Sequence, residues 1–317
     1  MALHPQVISL LDKMSSANLK PAFTLTPVEA RKQMDEMAAV RDSRKTLVGS
    51  VEEIDVPGPA GKIVIRIYRP SNQTDKNLPL FIYFHGGGHV IGSLDSHDEV
   101  ARVLCSGANC LLASVDYRLA PEHKFPAAVE DAFSASLWLS ENAHIIGADP
   151  NNIVIGGDSA GANLAIVVAL MARDTKNMNL VAQYLIYPVV DYNFESVSYS
   201  TYAEGYGPLT KNGMMWFKDH YLSNEGDVDD WRASPIKASD LSGLPSTVLI
   251  TAECDVLHDE GVRLAKALLA AGTSVKHMDY PGMIHGFFSF APYLDDGKMA
   301  QKVVCQHLTE IFSKCET

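Results

Sequence analysis

The sequence predicts an α/β fold in which a mostly parallel central sheet carries helices on both faces. Two observations point to it. From about residue 62 onward, short β-branched runs alternate with longer segments of helical periodicity, the pattern left by strands joined through helical crossovers. The 317 residues are 47% hydrophobic and 20% charged, with no low-complexity tract, as expected of an ordinary globular chain.

The elements follow in order. "KIVIRIYRP" and "LPLFIYF" read as strands, and "SHDEVARVLCSGAN" reads as a helix before the strand "NCLLASVDY". "PAAVEDAFSASLWLSENA" has helical periodicity, "NNIVIGG" is a short strand, and "AGANLAIVVALMARD" is a helix buried on most sides. "AQYLIYP", "PSTVLITAE" and "SVKHMDYPG" supply the later strands, with helices at "DEGVRLAKALLAAG" and "KMAQKVVCQHLTEIFSK". Two stretches stand outside the alternation: residues 1–45, and residues 191–232 with the helical piece "KNGMMWFKDHYL". The expected organisation is therefore a core of 46–190 and 233–317, with 1–45 and 191–232 laid over one end of the sheet.

Charge and composition exclude several functions. With 38 acidic against 26 basic side chains the formal charge is −12, a poor field for nucleic acid or anionic membrane surfaces. The N-terminus lacks a basic region followed by a sustained apolar one. The longest apolar run, "LAIVVALMA", falls well short of the roughly 20 residues that span a bilayer. A cytoplasmic protein without a stable membrane anchor is expected, and a homodimer is the assembly such chains most often form. Five cysteines with no C-x-x-C pair read as reduced thiols.

"FIYFHGGGHVIG" raises the question of function. His85 and His89 have the i, i+4 spacing of zinc ligands on a helix, but the intervening Gly86, Gly87 and Gly88 make a helix there costly. No glutamate follows His85, so no metal is expected. Neither phosphate-loop register fits, because Ile91 stands where the last dinucleotide glycine would fall. A loop with bare N–H groups aimed at a ligand oxygen remains, since glycine lets backbone approach a substrate closely.

Such a loop needs a nucleophile nearby, and "GGDSAGAN" offers Ser159 within G-x-S-x-G, between a strand and a helix. That context marks a nucleophile elbow, which in lipases and esterases accompanies an HGGG-type loop and is followed by an acid and then a histidine. Asp255 in "TAECDVLHDEG" lies at a strand's C-terminal end, and His285 in "YPGMIHGFF" follows the last strand. A serine hydroxyl needs a histidine to take its proton, and the histidine needs a carboxylate to orient it. Asp259 and Glu260 compete for the acid role but fall at a helix start, where they serve as first-turn acids. Asp116, Tyr117, Arg118 and Glu122 in "DYRLAPE" are expected to play a structural role through internal pairing rather than act on substrate.

Taken together, "HGGG", "DYRLAPEHKFPAA", "GDSAGANLA", "AECDVLHDEG" and "GMIHGF" resemble the hormone-sensitive lipase family of α/β-hydrolase esterases, in the same order from about Pro70 to Phe288. The resemblance implies an α/β-hydrolase fold with Ser159 as nucleophile, Asp255 as acid and His285 as base. It implies an oxyanion hole from the N–H groups of Gly87, Gly88 and Ala160, no cofactor, and a helical cap from the N-terminal segment and the insertion. His85 would then brace the glycine loop and His89 would lie beside the substrate. The family often has an aromatic residue at position 89, and proline and arginine at the positions of Val256 and His258.

The expected activity is hydrolysis of short- to medium-chain carboxylic esters, small-molecule substrates, through an acyl-enzyme. Met214, Met215, Trp216 and Phe217 offer apolar surface for an acyl pocket. Two alternatives share the scaffold: a small-molecule binding protein, against which His285 argues, and an amidase or peptidase using the same triad.

Overall fold

The computed structural model describes residues 2–71, 77–204 and 206–314. Its centre is an eight-stranded sheet in the order β1-β2-β4-β3-β5-β6-β7-β8. The strands are β1 (Ser50–Gly58), β2 (Gly61–Arg69), β3 (Leu78–Phe84), β4 (Leu111–Asp116), β5 (Ala148–Asp158), β6 (Leu180–Ile186), β7 (Ser246–Cys254) and β8 (Val275–Ile284). Pairing is antiparallel for β1 with β2 and for β2 with β4, and parallel from β4 through β8. The expected mostly parallel sheet is thus present, with each anticipated strand at or within a few residues of its place.

Strand β1 was not anticipated. Glu52, Glu53, Asp55 and Pro57 are poor strand formers, and of its nine residues only Val56 is buried. It is an edge strand held by its hairpin to β2, so no apolar alternation betrays it.

Crossover helices α3 (Asp98–Ala108), α4 (Ala127–Glu141), α5 (Ala160–Thr175) and α8 (His258–Ala270), with α9 (Asp295–Lys314) after the last strand, cover the sheet. In α5 the run Ala160–Leu170 is entirely buried, because this helix packs against β3, β5 and β6 and is itself covered by α4. The central strands are buried on both faces, as a doubly covered parallel sheet demands.

The remaining helices are α1 (Pro5–Ser16), α2 (Pro27–Arg41), α6 (Val197–Thr201) and α7 (Lys211–Tyr221). Helix α2 starts at a capping box of Thr26 and Glu29 with proline at its first position, and Thr210 caps α7. The turn Ala22–Thr24, between α1 and α2, packs on α7, so the two stretches outside the alternation meet.

Cys105, Cys110, Cys254 and Cys305 are buried free thiols, and Cys315 lies outside the described residues. No helix among the described residues is long and apolar enough to cross a membrane.

Candidate active site

Ser159 sits where β5 turns into α5, with φ 55° and ψ −117°. This sharp reversal requires small neighbours: a Cβ on Gly157 or on Gly161 would collide with the Phe84 carbonyl. The turn is held by hydrogen bonds from Ser159 N to Ile186 O at 2.8 Å and from Asn163 N to Ser159 O at 3.1 Å. The hydroxyl is thereby raised beyond the C-terminal ends of the parallel strands.

Two further strand ends bring in its partners. Asp255 follows β7 and His285 follows β8. Their contacts form a chain, with His285 Nδ1 2.6 Å from Asp255 Oδ2 and Nε2 2.9 Å from Ser159 Oγ. A carboxylate only accepts, so Nδ1 carries the proton toward Asp255 and Nε2 is left to accept from the serine. Leu257 N donates to the second Asp255 oxygen at 3.0 Å, which fixes the carboxylate despite the unusual Val256 and His258.

The competing carboxylates point elsewhere. Asp259 accepts from Ser198 N at 2.9 Å and Glu260 from Val190 N at 2.8 Å, both in the first turn of α8. Glu260 is fully enclosed, and burial drives its pKa well above the usual carboxylate range. In the "DYRLAPE" segment Arg118 pairs with buried Asp131 at 2.7 Å as expected, whereas Glu122, paired with Arg31 at 2.6 Å, is half exposed and Asp116 is exposed.

The glycine loop approaches Ser159 from the end of β3. Gly87 and Gly88 have φ 120° and 60°, and their N–H groups meet no acceptor among the described residues. Ala160 N is the first of α5, so it has no intrahelical acceptor. The loop is pinned at its base. Gly86 N donates to Asp158 Oδ1 at 3.0 Å, His85 Nδ1 lies 2.8 Å from Gly86 O, and the Tyr117 hydroxyl donates to His85 O at 2.7 Å. Burial lowers the His85 pKa to about 3, so its ring is neutral.

Asp158 is buried beside the serine. Burial would raise its pKa, but His97, 3.5 Å away, and the Tyr83 hydroxyl at 2.6 Å outweigh this and bring it down to about 2. Neither Asp158 nor His97 was singled out from sequence, although the aspartate stands inside the quoted motif.

Ser159, His285, Gly87 and Gly88 open into one cleft of about 370 Å3. Its walls are largely apolar and come from both stretches outside the alternation: Leu11, Met14, Met34 and Met37 from the N-terminal helices, and Leu209, Met214 and Phe217 from around α7.

Three positions differ from expectation. Met215 is 45% exposed and Trp216 packs on Phe217 and His220, so neither borders the cleft. A helix rotates about 100° per residue, and only Met214 and Phe217, three apart, share the inward face. His89 is not beside the cleft but buried behind the loop, its ring stacked on Tyr221 at 3.9 Å. Its backbone, like that of Gly88 before it, is left-handed, with φ 61°.

A mostly parallel sheet with a serine elbow after β5, an aspartate after β7 and a histidine after β8 defines the class, the α/β hydrolases. A family model of the alpha/beta hydrolase fold matches residues 81–289. The carboxylic ester hydrolase LipN of Mycobacterium tuberculosis is 44% identical over 246 residues, 75% of this chain and 64% of LipN. An arylesterase of Saccharolobus solfataricus is 34% identical over 90% of this chain and 92% of its own. Among solved structures, a hyperthermophilic esterase from the archaeon Pyrobaculum calidifontis superposes with a TM-score of 0.93 at 39% identity, covering 98% of this chain and 99% of its own. The chain belongs to the hormone-sensitive lipase family of α/β-hydrolase esterases.

Proposed function

We propose that the protein is a serine carboxylesterase acting on short- to medium-chain esters through an acyl-enzyme. The observation that carries this is the unbroken chain from Asp255 through His285 to Ser159 Oγ, with contacts of 2.6 and 2.9 Å. In this reading Ser159 attacks the ester carbonyl while His285 takes its proton, and Asp255 stabilises the imidazolium that forms. The N–H groups of Gly87, Gly88 and Ala160 receive the negative oxygen of the tetrahedral intermediate. His285 then returns the proton to the departing alcohol, leaving the acyl group on Ser159 until water repeats the sequence.

Residues 1–45 and 191–232 act as a cap, since their side chains supply most of the apolar lining of the cleft. Met214 and Phe217 are the members of the expected acyl wall retained in this reading. The names of similar proteins, a carboxylic ester hydrolase, an arylesterase and an esterase, support the same activity.

Incubation with a p-nitrophenyl alkylphosphonate followed by peptide mass spectrometry tests the assignment. A single adduct on Ser159, with parallel loss of p-nitrophenyl butyrate hydrolysis, is expected. An adduct elsewhere, or activity persisting in a fully labelled protein, would refute it. An anilide assayed beside the ester separates esterase from amidase.

A further inference from the structure

Arg41 interrupts the apolar lining of the cleft. Its side chain is only 10% exposed and is held rigidly. Nε and Nη2 donate to the two Asp42 oxygens at 2.7 and 2.6 Å, and Nη2 also donates to Ser96 O at 2.7 Å. A guanidinium has five N–H donors, and the pair on Nη1 meets no acceptor among the described residues. Arg41 borders both the cleft and the adjoining groove between α1 and α2, so its unused edge lies at open space.

Behind the same wall the hydroxyls of Tyr187 and Ser289 are shut off from solvent and lie within reach of each other. Tyr187 follows β6 with φ 36°, is 2% exposed, and places its ring 4.6 Å from that of His285. Burial raises its phenol well above the ordinary value, while Ser289 and the charge of Arg41 act in the opposite direction. Ser289 and His285 both border the cleft. Arg41 therefore shares the cleft with His285, while Tyr187 lies behind its wall.

A donor shut away from water without an acceptor is costly, and a purely apolar ester filling the cleft leaves the Nη1 hydrogens of Arg41 unsatisfied. A guanidinium N–H makes a charge-assisted hydrogen bond to a carboxylate. Asp42 and Ser96 take the hydrogens of Nε and Nη2 and leave the two on Nη1. The formal charge of −12 gives an anion no long-range attraction, so any recognition must come from these local donors, with Lys20 as a second cation on the cleft.

We propose that Arg41 forms a subsite for a free carboxylate carried by the ester. The substrates it selects are then monoesters of dicarboxylic acids or acyl esters of hydroxy acids. This inference rests on the esterase reading above.

The test compares each carboxylate ester with a neutral isostere. Monoethyl succinate is paired with ethyl 4-methylpentanoate, which places the carboxylate on the acyl side. O-butyryl lactate is paired with 3-methyl-2-butyl butyrate, which places it on the alcohol side. In one of the two pairs, the ratio of kcat/KM for carboxylate over neutral ester should be one or more in the natural protein. It should fall roughly tenfold or more in Arg41→Gln, the effect of losing a charge-assisted hydrogen bond, with partial retention in Arg41→Lys. A merely structural role of Arg41 would lower both esters together and leave the ratio unchanged, which would overturn the proposal, as would a natural protein that strongly prefers the neutral ester in both pairs.

Calorimetric binding to the Ser159→Ala protein separates this inference from the esterase reading. If neither ester is hydrolysed by the natural protein, the esterase reading fails, and the subsite still stands or falls on tighter binding of a carboxylate ester than of its isostere and its loss in Ser159→Ala/Arg41→Gln. Equal affinities in both pairs would end the proposal even if neutral esters are cleaved.

Discussion

The Asp158 carboxylate accepts the Gly86 N–H at 3.0 Å, so the residue before Ser159 holds the residue before Gly87 and Gly88. The nucleophile's turn and the glycine loop are joined through one buried charge. Replacing Asp158 with alanine should therefore lower kcat more than it raises KM, because the loop loses its anchor while the acyl walls remain. Steady-state kinetics on p-nitrophenyl butyrate read this directly, and a change confined to KM would contradict it. The carboxyl's pKa, lowered to about 2, also has a sign. Its contribution, on the order of 2 kcal/mol, is present above the ordinary carboxylate pKa and is lost as pH falls toward 2. Urea unfolding between pH 5 and 2 should show a shallower acid loss in Asp158→Asn than in the natural protein.

Ser159→Ala and His285→Ala should each abolish nearly all ester hydrolysis, and the double variant should be no worse than either, since the chain of contacts acts as a unit. Asp255→Asn should reduce kcat by about 10⁴ with little change in KM, as for other triads of this kind. Asp259→Asn should do far less, because its carboxylate is occupied at Ser198 N.

Glu260 carries the opposite linkage to Asp158. Burial raises its pKa well above the usual range, so the neutral form suits its site, and the cost of keeping it protonated grows as pH rises above the value of an unfolded glutamate. Glu260→Gln should therefore gain stability relative to the natural protein between pH 4 and 7, while retaining activity. Denaturant titrations at the two pH values give the comparison; a difference that stays constant would contradict it.

Gly88 has a φ of 60°, and a Cβ there would run into the ring of Phe217. Gly88→Ala should depress turnover, and Phe217→Ala in the same protein should restore part of it. A double-mutant cycle showing strict additivity would mean the two do not share this space.

The cleft is about 370 Å3 and is walled by Leu11, Met14, Met214 and Phe217. Each buried methylene contributes about 0.8 kcal/mol, so kcat/KM should rise from acetyl toward butyryl or hexanoyl esters and then fall as the wall is reached. Profiles on p-nitrophenyl esters from C2 to C16 locate the maximum, and one at C12 or beyond would contradict a closed pocket. Deleting residues 1–40 should flatten the profile and lower the melting temperature.

By itself the sequence determined the alternating core, the elbow at Ser159, and the order in which Asp255 and His285 follow it. These were legible because each depends on local chemistry: strand and helix periods, a turn that only glycines permit, and residue types that proton transfer requires. Strand β1 was not legible, since an edge strand with one face in water carries little apolar pattern. Only the tertiary structure decided which side of α7 faces the cleft, and that His89 turns away to stack on Tyr221. Only it brought Arg41, His97, Asp158 and Ser289 to one cavity, with Tyr187 beside it. Contacts between residues so far apart along the chain arise when helices and strands pack into one body, and no local period or spacing records them.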